Sequence, residues 1–179
     1  MFESLEKFES RDLKYRFLED VDKSFFVSLY SNPEVMRYIC RPFSQEEAEE
    51  LFEDKISERA KDEKKRYIWF VENAIEPLGF VGLTKVDSLW EIGAVLSLPS
   101  IGKGYGTKIM SDLLTNVFDH YPLQKVLGTI PARNIPCQKS VLKLGFEYAG
   151  NTKDQHNQIW YLERAKFKKM ISVNNAIKL

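Results

Sequence analysis

The sequence predicts an α+β domain built on a mixed, mostly antiparallel twisted sheet flanked by helices. Three observations lead there. The apparent order of elements is strand, helices, three strands, helix, strand, helix and two strands, with no simple βα alternation. The three middle strand-like runs follow one another through short links, as an antiparallel meander does. A glycine-rich turn, "IGKGYG" at 101–106, then leads into a strongly amphipathic helical stretch.

Taken in chain order, "LKYRFL" (13–18) alternates apolar and polar residues and reads as a first strand. Glu19 and Asp20 then open a short helix through Tyr30. Asn32 and Pro33 fit the cap and first position of the next one. "SQEE" at 44–47 has the spacing of a capping box, so a long charged helix is expected from there to about Lys65. Ala48, Leu51, Phe52 and Ile56 form its apolar stripe. "YIWFVE" (67–72), "PLGFVGLTKV" (77–86) and "LWEIGAVL" (89–96) are the meander. Ile109, Met110, Leu113, Leu114, Val117 and Phe118 recur at helical spacing after the glycines. "KVLGTI" (125–130) reads as a buried strand. "NIPCQKSVLKLGF" (134–146) reads as a helix closed by Gly145. "FEYAG" (146–150) and "NQIWYLERA" (157–165) complete the sheet. One domain over residues 1–165 is expected, followed by a basic tail over 166–179.

Charge and composition exclude several functions. Lys+Arg and Asp+Glu are both 26, so the net charge is zero, which argues against a dedicated nucleic-acid binder. No run of 18 apolar residues is present, so no membrane span is expected. Cys40 and Cys137 have no metal-ligand spacing and only two histidines accompany them, so no metal is expected. A domain with an ample core has little need of a disulfide between them, so a reducing, cytoplasmic compartment is expected.

The chemistry starts at the glycines. The unpaired amides of a first helical turn, with the helix dipole behind them, form an anion site, and glycine lets a phosphate approach the backbone closely. Lys103 adds a positive charge. A Walker loop fails because the sixth position after Gly102 starts the count is Thr107. A dinucleotide fingerprint fails because Gly102, Gly104 and Gly106 give Gly-x-Gly-x-Gly. The plain structural alternative is a tight turn with close packing.

"GKGYGTKIMSDLL", preceded by "WEIGAVL" and followed by "ARNIPCQKSVLKLGF", resembles the GNAT N-acetyltransferase superfamily. "RDLKYRFLEDVD" and "SNPEVMRYI" look like the RimJ/RimL branch, the ribosomal-protein-alanine N-acetyltransferases. The resemblance covers roughly residues 10–165. It implies a GNAT-like fold and acetyl-CoA as co-substrate. The implied pyrophosphate site is made by the amides of Gly102, Lys103, Gly104, Tyr105, Gly106 and Thr107. Gly104 and Gly106 match the small positions of the family motif Arg/Gln-x-x-Gly-x-Gly/Ala. Ile101 stands where the motif has Arg or Gln, which implies weaker phosphate binding.

The resemblance also implies roles for single residues. Glu91 is the candidate base. An acid between Trp90 and Ile92 is expected to be partly desolvated, with its pKa raised toward a useful range. Its structural alternative is to hold a loop or pair with a lysine. Val95, Leu96 and Leu98 are expected where a strand edge pairs with the pantetheine amides. Asn134 is expected on the pantetheine arm, against simple N-capping. The family's tyrosine acid is absent, since Val141 stands there. Cys137 stands where the branch often has serine, and is the candidate acid, against a role as a small buried hydrophobe.

The implied reaction is direct acetyl transfer to a primary amine, most readily a protein N-terminal α-amine. At pH 7.5 roughly a third of α-amines are neutral, against about a thousandth of lysine amines. A small-molecule amine (a polyamine, an aminoglycoside or an amino-acid-like metabolite) and a non-catalytic CoA-binding module are the alternatives. The acceptor is expected between the helices of 20–65 and the loop near 151–157. The acidic run "SQEEAEELFED" either attracts a cationic amine or is a solvated helix face. Monomer and homodimer both fit.

Overall fold

A computed structural model describes residues 1–176. Strands β1 (Lys7–Ser10), β2 (Leu13–Phe17), β3 (Arg66–Glu72), β4 (Pro77–Val86), β5 (Leu89–Leu96), β6 (Lys125–Pro131), β7 (Glu147–Asn151) and β8 (Asn157–Glu163) form one sheet, in the order β1-β2-β3-β4-β5-β6-β8-β7. Every pairing is antiparallel except β5 with β6. Helices α1 (Lys23–Tyr30), α2 (Pro33–Met36) and α3 (Gln45–Ser57) precede the meander. Helices α4 (Tyr105–His120), α5 (Ile135–Lys143) and α6 (Arg164–Ala176) follow it. Among the described residues, no helix is long and apolar enough to cross a membrane.

Alternation along the strands divides the core in two. Tyr67, Trp69, Val71, Trp90 and Ile92 face one way and pack with α4, through Ile109, Leu113 and Val117, and with Phe167 of α6. Phe70, Phe80 and Val95 face the other way, onto Phe26, Leu29, Met36 and Phe52 of α1–α3. The expected caps form. Asn32 accepts from the amides of Glu34 and Val35, and Ser44 and Glu47 close a reciprocal capping box.

Four expectations change. A hairpin precedes the first strand, since β1 pairs with β2 through a turn at Arg11 with φ 57°. Its "KFES" is an edge strand with no buried residue, so no core face marks it in the sequence. The first strand itself ends at Phe17, not residue 18. Helix α3 stops at Ser57 rather than near Lys65. There the buried Glu58 carboxylate takes the Lys65 amide at 2.7 Å and the Lys61 amine at 2.6 Å, which turns the chain toward β3. The stretch read as a basic tail carries α6, and Phe167, 1% exposed, lies in the main core. Burying that ring is worth about 2 kcal/mol. Residues 177–179 of that stretch lie outside the described residues.

Candidate active site

The site begins where the sheet parts. β4 pairs with β5 along its whole length, from Val86↔Leu89 to Gly79↔Leu96. On its other side β5 meets β6 only at Trp90↔Val126 and Glu91↔Leu127. From Ile92 to Leu96 that backbone edge is open. A cleft of about 590 Å³ fills the gap. It is lined by this edge, by Thr129 and Ile130 across the gap, and by the start of α4.

Glu91 stands at the fork. It is half-buried, and its Oε1 accepts a hydrogen bond from the Thr129 amide at 3.0 Å. The carboxylate therefore bridges the strands just past their last paired residues. This is the loop-holding role weighed in the sequence, and among the described residues the second carboxylate oxygen has no hydrogen bond. Glu91 shares a sheet face with Gly93 and Val95, opposite Trp90, and is not itself among the residues lining the cleft.

The glycine turn delivers backbone to the same cleft. Gly102 and Gly104 have φ of 79° and 85°, the left-handed region that favours glycine. Beyond the adjoining residues, nothing lies within 4 Å of where a Cβ would stand on either. Gly104 is the N-cap of α4, and no side chain caps that helix. The amides of its first turn are thus left for a ligand, as an anion site requires. Gly102, Gly104, Gly106 and Thr107 line the cleft together with Ile101. Lys103 and Tyr105 do not line it. Lys103 is exposed, and the Tyr105 hydroxyl accepts from Asn73 at 3.4 Å. Val95 and Leu96 are in the cleft wall, whereas Leu98 sits in a short 3₁₀ turn (Leu98–Ser100), 50% exposed and away from it.

Helix α5 closes the other wall. Asn134 Oδ1 caps it by accepting from the Cys137 amide at 3.1 Å, so capping is one established role of that side chain. Asn134 also lines the cleft, and its Nδ2 has no hydrogen bond among the described residues. Cys137 lines the cleft and packs against the main core, and burial pushes its thiol up to about 11. Lys139 and Lys143, which the sequence reading overlooked, add two cations on this side. They follow Pro136 at roughly one-turn intervals, a spacing that could have marked them.

The α1–α3 side supplies Tyr30, Val35, Tyr38, Ile39 and Lys55, along with Arg66 and Thr84 from β3 and β4. None of residues 151–157 reaches the cleft. The acidic run is a solvated face: Glu47 pairs with Arg41, Glu53 with Lys23 and Asp54 with Arg66. Gly82 and Gly93 sit opposite each other on β4 and β5. A Cβ on Gly93 would meet nothing within 4 Å, which leaves the floor open there, whereas one on Gly82 would press on the Tyr67 carbonyl at 3.0 Å.

These residues fit an acyl-CoA. An open strand edge can bond the amides of an extended arm, and an uncapped helix start with two nearby lysines can hold phosphates.

Comparison with known proteins bears on the family and the fold. A family model described as "Acetyltransferase (GNAT) domain" matches residues 12–147. Among solved structures, the chain is similar to a spermidine N-acetyltransferase from Vibrio cholerae in complex with CoA and spermine. The TM-score is 0.72 at 23% identity, covering 87% of this chain and 98% of that one. It is similar to an acetyltransferase (GNAT family) from Bacillus anthracis, with TM-score 0.73 at 18% identity, covering 89% and 99%. An uncharacterized protein from Bacillus halodurans superimposes with TM-score 0.80 at 13% identity, covering 94% and 95%. None of the curated proteins compared with the chain matches it.

Proposed function

The chain belongs to the GNAT acetyltransferase family, whose acetyl donor is acetyl-CoA, and we propose that it acetylates the α-amine of a protein N-terminus in the manner of the RimJ/RimL branch. One observation carries the reading: beyond the fork of β5 and β6, where Glu91 bridges the strands, an open strand edge and the uncapped start of α4 share one cleft.

In this reading the amides of Gly102, Gly104, Gly106 and Thr107 bind the diphosphate, and the β5 edge at Val95 and Leu96 orients the pantetheine arm. Lys139 and Lys143 supply positive charge on the same side. The acceptor amine enters from the α1–α3 face and loses a proton to Glu91, directly or through one water. Its nitrogen attacks the thioester carbonyl, so that the N–C bond forms as the C–S bond breaks. The Thr129 amide holds the Glu91 carboxylate in place for this step. An α-amine suits a site with a single base, because a sizeable fraction is already neutral at physiological pH.

Protonation of the departing thiolate is assigned to water. Cys137, with its thiol pushed up to about 11, is a weaker acid than an ordinary thiol near 8.5, whereas a released thiolate of that ordinary pKa is reprotonated by buffered solvent at neutral pH and needs no acid from the protein. It serves at most as a hydrogen-bond donor.

The test is free-thiol release from acetyl-CoA with N-terminal peptides, lysine peptides and polyamines, followed by mass spectrometry of the products. α-Acetylated peptides are the expected products. Products acetylated only on lysine side chains or polyamines would overturn the assignment of the acceptor.

A further inference from the structure

The acceptor side of the cleft carries positive charge that the transfer step does not need. Lys55, from the last turns of α3, and Arg66, from the start of β3, both line it. Lys55 is half-buried, and among the described residues no hydrogen bond or ion pair holds its amine. Burial first, and then the charge of Arg66, lower its pKa to about 8, against the opposing pull of Asp54. Arg66 gives Nη1 to Asp54 at 2.7 Å, which leaves the rest of its guanidinium fork for another partner. The Tyr30 hydroxyl lies on the same side and stays protonated, because burial pushes its pKa up to about 12.

No aspartate or glutamate is among the residues lining the cleft. Glu3 and Glu6 line a smaller cavity of about 150 Å³ that shares the Lys55–Arg66 wall, but they face Lys64 and Arg59. Arg66 and Thr84 also border a cavity with Glu58 and Glu63, which pair with Lys61 and Lys85; with Asp54 set against Arg66, the Lys55 charge is left unbalanced at this end of the cleft. An ammonium held half out of water without a partner costs stability, so the fold itself does not account for it. A polyamine would add more positive charge to the same place.

We infer that the acceptor carries a carboxylate that docks between Lys55 and Arg66, so that the preferred substrate is a peptide N-terminus with an acidic side chain in its first three residues. The register sets the span. Arg66, Thr84 and Glu91 lie in one row across three strands. Arg66 and Glu91 are therefore two strand spacings, about 10 Å, apart, and three residues of extended chain cover that length.

This inference rests on the acetyltransferase reading, and its test separates the two. Values of kcat/KM are compared for peptides Ala-Asp-, Ala-Asn- and Ala-Lys- of otherwise equal sequence, for free aspartate and for spermidine, while calorimetry follows acetyl-CoA. The acidic peptide is expected to exceed the Asn peptide at least tenfold. Lys55→Met and Arg66→Gln are each expected to collapse that ratio toward one through KM, with acetyl-CoA affinity retained. Free aspartate exceeding every peptide would support the carboxylate site and identify its source as a small molecule. Preference for spermidine or the Ala-Lys peptide would overturn the inference and leave the enzyme intact. So would an acidic preference that survives in both variants. Acetyl-CoA binding without acetylation of any amine would overturn both.

Discussion

The two walls of the cleft are built by different means. The donor wall is backbone: an open β5 edge, glycines with positive φ and the bare first turn of α4. The acceptor wall is side chain: Tyr30, Tyr38, Lys55, Arg66 and Thr84, from four elements and the loop after α2. A backbone site depends on a local conformation, and one stretch of sequence can specify it. A side-chain site depends on register and packing between distant segments. The first is therefore fixed by few positions and the second is open to change.

Substitutions on each wall break or sharpen that contrast. The largest effect is expected at the fork. Glu91→Gln keeps an acceptor for the Thr129 amide but removes the base, so kcat should fall by about 10²–10³ while acetyl-CoA affinity holds. Stopped-flow turnover and calorimetry check the split. Undiminished kcat would leave Glu91 as a strand bridge only. On the donor wall, Gly104→Val places a β-branched residue at φ 85°, at a cost of about 1–2 kcal/mol, and projects a Cβ into the proposed phosphate cradle. A tenfold or greater loss of acetyl-CoA affinity is expected by calorimetry.

On the acceptor wall, Gly93→Val adds a Cβ that meets no atom within 4 Å, and valine suits a strand. KM for the acceptor should rise about tenfold, with thermal stability unchanged or higher; both rise together only if the Gly82–Gly93 floor is the acceptor site. Asn134→Ala loses the cap of α5 and should cost about 1 kcal/mol in chemical denaturation. The smallest effect concerns stability alone. Lys55 has a folded pKa lowered from 10.5 to about 8, so the unfolded state binds more protons between those values. Its presence thus costs stability below pH 8, and the cost fades as pH rises from 8 to about 10.5. Lys55→Met should raise Tm at pH 7 by about 2–4 °C, the response of such a domain to about 1 kcal/mol. That advantage should shrink toward pH 10.

The meander and α4 were legible because their apolar periods are long and bounded by turns, as in "YIWFVE" and "PLGFVGLTKV". β1 escaped because an edge strand without buried residues has no inward face to show. α6 escaped because lysines crowd the stretch in which Phe167, Met170 and Ile171 hold the helical spacing. At the site, Gly102, Gly104, Gly106 and Thr107 could be read from their own pattern. Neighbouring Lys103, Tyr105 and Leu98 show its limit, since adjacency in sequence does not decide which side chains turn into the cleft. Lys55, Arg66 and Thr84 could not be read in this way. Only the pairing of β3 with β4, and the packing of α3 beside them, brings them together.

The parting of β5 from β6 also bears on how the molecule moves. β1–β5 and β6–β8 are each laddered strand to strand, with bulges at Val71/Glu72 and Tyr148/Gly150, yet among the described residues the two groups pair backbone to backbone only at Trp90 and Glu91, backed by α4. The sheet is in effect two stiff plates with a hinge at one end. Opening and closing of that seam would set the rate at which an extended ligand slots in as the missing rung, and once seated it would turn two plates into one.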